Sequence, residues 1–500
     1  MKCMKLYPND TVALSTQALK KGDTVEINGE SIVLLDDIPN AHKIALQDFA
    51  EGDGIRKYDS IIGYASRPIK KGEWVHEHNE VTGLGKSKEY TYRFDPKTTI
   101  LPGSSDDTFM GYLRSDGSAG IRNYLAVIPT VFCANGPLEH LAEMAKEKYP
   151  MSDNFDGIFP LTHPYGCSQT GYDLELTCKI LSGVIQNANF GAVLIVSLGC
   201  EITDPVQLKK YMGEYDESRI KILSLQNCED EFETGMALID ALMEQVLSDH
   251  RQPLTFDKLH IAMNCGGSDG YSGITANTLL GTLCDTMVKK GATMNMTEVP
   301  EMMGAEHLLM NRAINEDVFH DIVDLIHNYE DYFAKYGEKA SDNPTQGNKA
   351  GGLTTLEEKS LGCTQKGGHC AVTEVLKYGD RATKNGFILV SGPGNDLVCV
   401  TGQIASGAVL TIFTTGRGTP CGFAGPTFRL SSNTALAQKK PHWIDYDAGR
   451  LLTAADPQSV DALNRELYDA IMATVNGEYR TCNEKNGYYQ MGILRDGVTL

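Results

Sequence analysis

LAVIPTVFCANGPLEHLAEMAKEK, residues 125–148, decides the fold. Leu125 to Val131 is a short continuous apolar run, the pattern of a strand buried on both faces, and apolar residues then recur at helical spacing from Leu138 to Lys148. The alternation continues downstream as strand Gly157 to Leu161, helix Asp173 to Gln186, strand Ala192 to Leu198, helix Val206 to Tyr211, strand Ile220 to Leu225 and helix Glu229 to Leu247. Strand–helix alternation of this kind implies an α/β unit with a parallel sheet covered on both faces.

A polar break at residues 249–257 precedes a second α/β series. It reads as strand Leu259 to Met263, helix Thr275 to Lys290, strand Ala292 to Glu298, a long helix Glu316 to Tyr336, helix Val372 to Lys377, strand Phe387 to Ser391, helix Leu397 to Ala405 and strand Val409 to Thr414. Upstream, Thr24 to Ile27, Ser31 to Leu35, Ile61 to Ala65 and Trp74 to His78 read as β segments separated by Lys-Gly turns. The expected organisation is an all-β module over 1–95, a linker over 96–108, an α/β unit over 109–250 and a second α/β unit over 251–500.

Composition narrows the function classes. With 41% hydrophobic residues the chain can build real cores, and its longest apolar stretch is too short to span a bilayer. A net charge of −20 argues against nucleic acid or an anionic membrane as the main partner. Thirteen cysteines without any C-x-x-C pair fit reduced thiols in a cytoplasm better than a disulfide framework.

Ligands of open parallel sheets bind beyond the carboxyl ends of the strands, where this sequence collects thiols, carboxylates and a guanidinium. Cys167, Cys200 and Cys363 share a Gly-Cys ending; three thiolates could hold an iron–sulfur cluster with one iron left open, or each could be a small buried apolar group. Glu301, in EVPEMMGAE, and Asp269 are candidate oxygen ligands for a divalent metal, with a helix first-turn role as the other reading of Glu301. Arg417 lies between glycines directly after an apolar strand and suits bidentate binding of a carboxylate.

The stretch at residues 343–363, NPTQGNKAGGLTTLEEKSLGC, shows neither helical nor strand periodicity and reads as an irregular ligand-binding loop. It offers Asn348 and Lys349 to a substrate and Lys359 as a cation or desolvated base. In the β module His42, His76 and His78 stand out, the last two spaced to share one face of a strand. Gly392-Pro393-Gly394 begins like a dinucleotide fingerprint but lacks its third glycine and its acidic residue.

The strings GIRNYLAVIPTVFCANG, THPYGCSQ, SLGCE, NCGGSDGYSGITAN, TEVPEMMGAE, NPTQGNKAGGLTTLEEKSLGCTQK, TTGRGTP and GVTL resemble, in order and over nearly the whole chain, the altronate/galactarate dehydratase family. The resemblance implies a SAF-type β-clip module, a middle domain serving dimerisation of a homodimer, and a C-terminal Rossmann-like variant that holds metal. It further implies an iron-dependent dehydration of D-altronate to 2-dehydro-3-deoxy-D-gluconate in hexuronate catabolism, with galactarate or a related hydroxy acid as the alternative substrate and a non-catalytic sugar-acid-binding protein as the alternative class. In such chemistry Arg417, Lys349, Asn348 and His42 would bind substrate, His76, His78 and Lys359 are the candidates for acid and base, and Cys167, Cys200, Cys363, Glu301 and Asp269 are the candidates for iron, as Fe2+ or as a cluster.

Overall fold

The apolar run that begins the middle unit is a central strand, Tyr124–Pro129, flanked by Gly157–Pro160 on one side and by Phe190–Ser197 and then Ile220–Ser224 on the other. All pairings are parallel, and both Tyr124–Pro129 and Phe190–Ser197 are buried along their whole length. The structure is a computed structural model describing residues 2–84, 89–454 and 456–499. No helix among these residues is long and apolar enough to cross a membrane.

The C-terminal unit is a seven-stranded parallel sheet in the order Val372–Leu376, Gly386–Val390, Thr293–Met296, His260–Cys265, Leu410–Thr415, Thr427–Ser431, Tyr446–Asp447. From His260–Cys265 the chain builds outward in one direction and then returns to the opposite side at Leu410–Thr415. The carboxyl ends of these two strands therefore flank a topological switch point, the crevice where open α/β sheets bind ligands.

Three local expectations are corrected. Val372–Leu376 is an edge strand rather than a helix: VTEVL is β-branched and short, and pairing with Gly386–Val390 overrides any helical tendency. The polar break contains strand Gln252–Thr255, which pairs antiparallel with Thr108–Leu113 and ties the middle unit to the start of the C-terminal one. The 343–363 stretch is two short helices, Gln346–Ala350 and Leu356–Cys363, and all eight residues of the second are buried. A helix enclosed on every side has no solvent face, so it carries no amphipathic period to read.

Among the described residues of the N-terminal module the strand pairings are antiparallel, in sheets of four, three and two strands. Its strand Trp74–Val75 stops before the histidines, and residues 76–79 form a turn. His76 and His78 consequently do not share a strand face.

The middle and C-terminal units share one core, in which helix Gly171–Ile185 packs on Asp396–Ala405. Gly183 permits that approach, because a Cβ there would lie 2.7 Å from the Ala405 carbonyl oxygen. Beside it the guanidinium of buried Arg122 grips Glu484 through Nε at 2.7 Å and Nη2 at 3.1 Å, and Tyr124 donates to the same carboxylate at 2.8 Å. Arg122→Ala would strand a buried carboxylate and is expected to cost about 3–5 kcal/mol. A lowered urea midpoint checks this, and an unchanged one would show that the pair is not structural.

Candidate active site

Helix Leu356–Cys363 is the spine of the site. Thr355 caps it by accepting from the Glu358 amide at 3.2 Å. One turn of helix separates Lys359 from Cys363, so the two share a face, whereas Glu358 points about 100° away by helical geometry. The first face meets a thiol–carboxylate cluster and the second meets the N-terminal module.

In the cluster, Cys265 ends its strand and Cys363 ends the helix, with their sulfurs 3.2 Å apart. Glu301 Oε2 lies 3.0 Å from Cys363 Sγ and 3.6 Å from Cys265 Sγ. Glu298 lies 3.5 Å from Cys265 Sγ and accepts from the Cys265 amide at 3.1 Å. Its backbone is left-handed, with φ 68°, a strained conformation for glutamate that turns this carboxylate beneath the strand end.

Two buried lysines face these acids: Lys359 reaches Glu301 at 2.6 Å, and Lys366 reaches Glu298 at 2.8 Å and Cys265 Sγ at 3.0 Å. Burial opposes charge on Lys359, but Glu301 and the two thiols outweigh it and hold the ammonium protonated. Lys359 is therefore a cation here and not a free base. Burial would also raise the pKa of Glu301, yet Lys359 and Lys366 together hold it below the ordinary value.

Cys265, Glu301 and Cys363 place three ligand atoms within 4.8 Å of one another, the one such set among the described residues. Two thiols and a carboxylate suit a borderline divalent metal. Cys363 and Glu301 are thus brought together as the sequence reading expected, with Cys265 as the member it missed. Cys265 does follow a strand, but nothing in its spacing links it to Cys363, 98 residues on.

Asp396 was also missed, although it too lies beyond a strand end. A Cβ on Gly266 would come within 2.3 Å of its Oδ2, so only glycine lets this carboxyl sit against the switch-point loop. Burial, with Glu298 and Glu301 nearby, pushes its pKa up to about 8.

On the other face the module closes over the helix. Glu358 accepts from Lys43 at 2.5 Å and from Lys57 at 2.8 Å, all three side chains being buried. Burial alone would raise the Glu358 pKa, but the two ammoniums depress it to about 2. This docking delivers His42 and His76 to the segment between helices Gln346–Ala350 and Leu356–Cys363. His42 accepts from Trp74 Nε1 at 3.1 Å and faces the Ala350 carbonyl at 3.5 Å, and His76 Nδ1 lies 3.1 Å from Thr354 Oγ1. Burial first, then Lys43, lowers the His76 pKa to about 4, which leaves the imidazole neutral at pH 7.

The remaining predicted residues fall into distinct places. Lys349 pairs with Glu77 of the module at 3.1 Å, and Arg417 is exposed beyond Leu410–Thr415 with its amide bonded to Gly267 O at 2.8 Å. His78 is exposed and stands against the Trp74 ring. Asn348 has its amide nitrogen on Ser268 O and its oxygen in the Thr345 cap, so it shapes the loop. Asp269 accepts from Tyr271 N, Ser272, Ser432 and Asn433, which fills its oxygens with structural bonds and leaves it outside the metal-capable set. Cys167 and Cys200 are exposed on the middle unit and are not part of the Cys363 cluster.

Three family descriptions match the chain in succession: "Altronate/galactarate dehydratase SAF domain" over residues 1–83, "D-galactarate dehydratase/Altronate hydrolase, second domain" over 111–247, and "D-galactarate/Altronate dehydratase, C-terminal" over 256–499. The chain is 43% identical to altronate dehydratase of Bacillus subtilis (strain 168), over 99% of both chains. It is 39% identical to altronate dehydratase of Escherichia coli (strain K12), over 100% of both. Galactarate dehydratase (L-threo-forming) of the latter organism is 32% identical, over 97% of this chain and 95% of that one.

The docking of the module has a pH signature. The Glu358 pKa is depressed on folding, so its contribution is full above its ordinary value of 4.5 and is lost as pH falls toward about 2. Glu358→Gln leaves Lys57 without its anion and Lys43 with Glu80 alone, at 3.3 Å, and is expected to cost about 3–5 kcal/mol near neutrality. In denaturation series across this window, the gap between wild type and variant should shrink on acidification. A gap independent of pH would refute the assignment.

Proposed function

The chain belongs to the altronate/galactarate dehydratase family, and we propose that it removes water from D-altronate to give 2-dehydro-3-deoxy-D-gluconate. It is a sugar-acid dehydratase, a hydro-lyase. Altronate as substrate is supported by the higher identity to the two altronate dehydratases than to the galactarate enzyme. The observation that supports the chemistry is a protonated carboxyl beside a metal-capable cluster at the switch point, with a neutral imidazole on the module docked over the same buried helix.

The hard step is removal of the C2 proton beside a carboxylate, which places negative charge on an enediolate. Arg417 and Lys349 would hold the substrate carboxylate, with Lys349 exchanging its partly exposed pairing to Glu77, a weak interaction at a surface. His76 Nδ1 lies against Thr354 Oγ1, and in the tautomer that donates Nδ1–H there the Nε2 lone pair would take the proton from C2. Asp396, protonated at neutral pH, would give its proton to the departing 3-hydroxyl, and the resulting enol becomes the 2-keto acid.

Iron fits Cys265, Glu301 and Cys363. Two thiolates with Glu298 and Glu301 carry four negative charges, which Lys359, Lys366 and one divalent ion balance. Without metal the Cys363 thiol is held protonated by the neighbouring Cys265 sulfur and by burial, so loading would release protons. When bound, iron would supply Lewis acidity beside the developing charge.

Two measurements test this reading. Cobalt titrated into the protein should give a thiolate charge-transfer band that Cys265→Ser and Cys363→Ser abolish; persistence of the band in both variants would move the metal elsewhere. With iron and reductant, a panel of aldonates and aldarates assayed for 2-keto-3-deoxy acid should be turned over best as D-altronate. His76→Asn and Asp396→Asn should each lose kcat by about 10²–10⁴-fold with little change in KM. Preference for galactarate would favour the alternative substrate, and binding without turnover would favour a sugar-acid-binding protein.

A further inference from the structure

Of the thirteen cysteines, three are exposed: Cys133, Cys167 and Cys200. They are not scattered. Each follows a different strand of the middle parallel sheet, after Tyr124–Pro129, Gly157–Pro160 and Phe190–Ser197, and these three strands are direct neighbours. All three thiols therefore emerge at the carboxyl edge of one sheet. Exposed thiols are oxidation-prone, so three on one edge call for a physical reason.

The loops that carry them are fastened to one another. Phe132 N donates to Tyr165 O at 2.9 Å, joining the Cys133 and Cys167 loops. Thr203 Oγ1 donates to Thr130 O at 2.5 Å and lies 3.3 Å from Gly166 O, joining all three. Thr130 Oγ1 donates to Glu201 at 2.6 Å, and that carboxylate also accepts from Ser197 Oγ and the Gly199 amide. Glu201 is thereby fully engaged in shaping the Cys200 loop and does not compete as a ligand. Gly166 fits only as glycine, since a Cβ would fall 2.3 Å from Thr130 O. Ser168, next to Cys167, adopts φ 54°, a left-handed conformation unfavourable for serine and typical of functional loops.

The Gln226 side-chain amide approaches Cys200 Sγ at 3.9 Å, an N–H directed at sulfur. Cys228, after the fourth strand, donates to Leu225 O and is half-buried, which leaves three outward thiols. These thiols do not meet the spacing of a single-ion site, which among the described residues only Cys265, Glu301 and Cys363 satisfy. A multi-iron cluster joins thiolates that stand farther apart, because each thiolate binds a different iron.

We propose that Cys133, Cys167 and Cys200 form a three-thiolate site for an iron–sulfur cluster on the carboxyl edge of the middle sheet, separate from the Cys265–Cys363 centre. Three protein thiolates leave one iron of a four-iron cluster open to water or an external oxygen ligand.

The test is anaerobic reconstitution of the full chain with ferrous iron and inorganic sulfide, followed by assay of iron and acid-labile sulfide and by visible absorption. The wild type should retain sulfide and show the broad thiolate-to-iron bands. Cys133→Ser, Cys167→Ser and Cys200→Ser should each lose most of both, with unchanged circular dichroism, while Cys265→Ser and Cys363→Ser should retain them. Iron without labile sulfide in the wild type would overturn the proposal. So would retention of sulfide in the three edge variants, or its loss only in Cys265→Ser and Cys363→Ser.

Discussion

The buried contact of Glu358 with Lys43 and Lys57 is the constraint on which the rest of the site depends. Two ammoniums and a carboxylate out of water are tolerated only together, because removing one partner leaves an uncompensated charge. That requirement fixes how the N-terminal module sits on the C-terminal sheet, and with it the position of His76. The same eight-residue helix carries Lys359 to Glu301 and Cys363 to Cys265. One buried helix thus couples module docking, charge balance and the metal-capable set.

Burial sets the protonation states in this crevice, and it acts in opposite directions on different groups. His76 loses its charge because burial and the repulsion of Lys43 outweigh the pull of Glu358 and Glu77. Asp396 keeps its proton because Glu298 and Glu301 add to the same penalty. Lys359 keeps its charge because Glu301 is in contact with it. A neutral imidazole on the docked module, and a protonated carboxyl and a fixed cation at the thiol–carboxylate cluster, all follow from desolvation, with the partners deciding each sign.

Much of this was legible in the sequence. Continuous apolar strands between helical segments, as at Leu125 to Val131, give the parallel sheets, and the rule that ligands lie beyond strand ends points to Glu301 and Arg417. Other parts were not. Helix Leu356–Cys363 is polar and buried all round, so periodicity gives no signal, although Thr355 followed by Glu358 has the spacing of a helix N-cap. Pairings such as Cys265 with Cys363 or Lys43 with Glu358 join residues 98 and 315 apart, and spacing along the chain cannot register contacts made only by folding. Grouping Cys363 with Cys167 and Cys200 by their shared Gly-Cys ending failed for the same reason: local similarity does not determine which sheet edge a thiol reaches.

The central claim is that the sugar acid binds in the crevice between the docked module and the switch point of the C-terminal sheet. A crystal structure of the iron-loaded, catalytically impaired His76→Asn variant with D-altronate tests it most directly. The account predicts the substrate carboxylate at Arg417 and Lys349, with C2 facing position 76 and the 3-hydroxyl facing Asp396. Substrate bound instead in the aromatic cleft of about 550 Å³ lined by Tyr329, Tyr332 and Asn395 would contradict it.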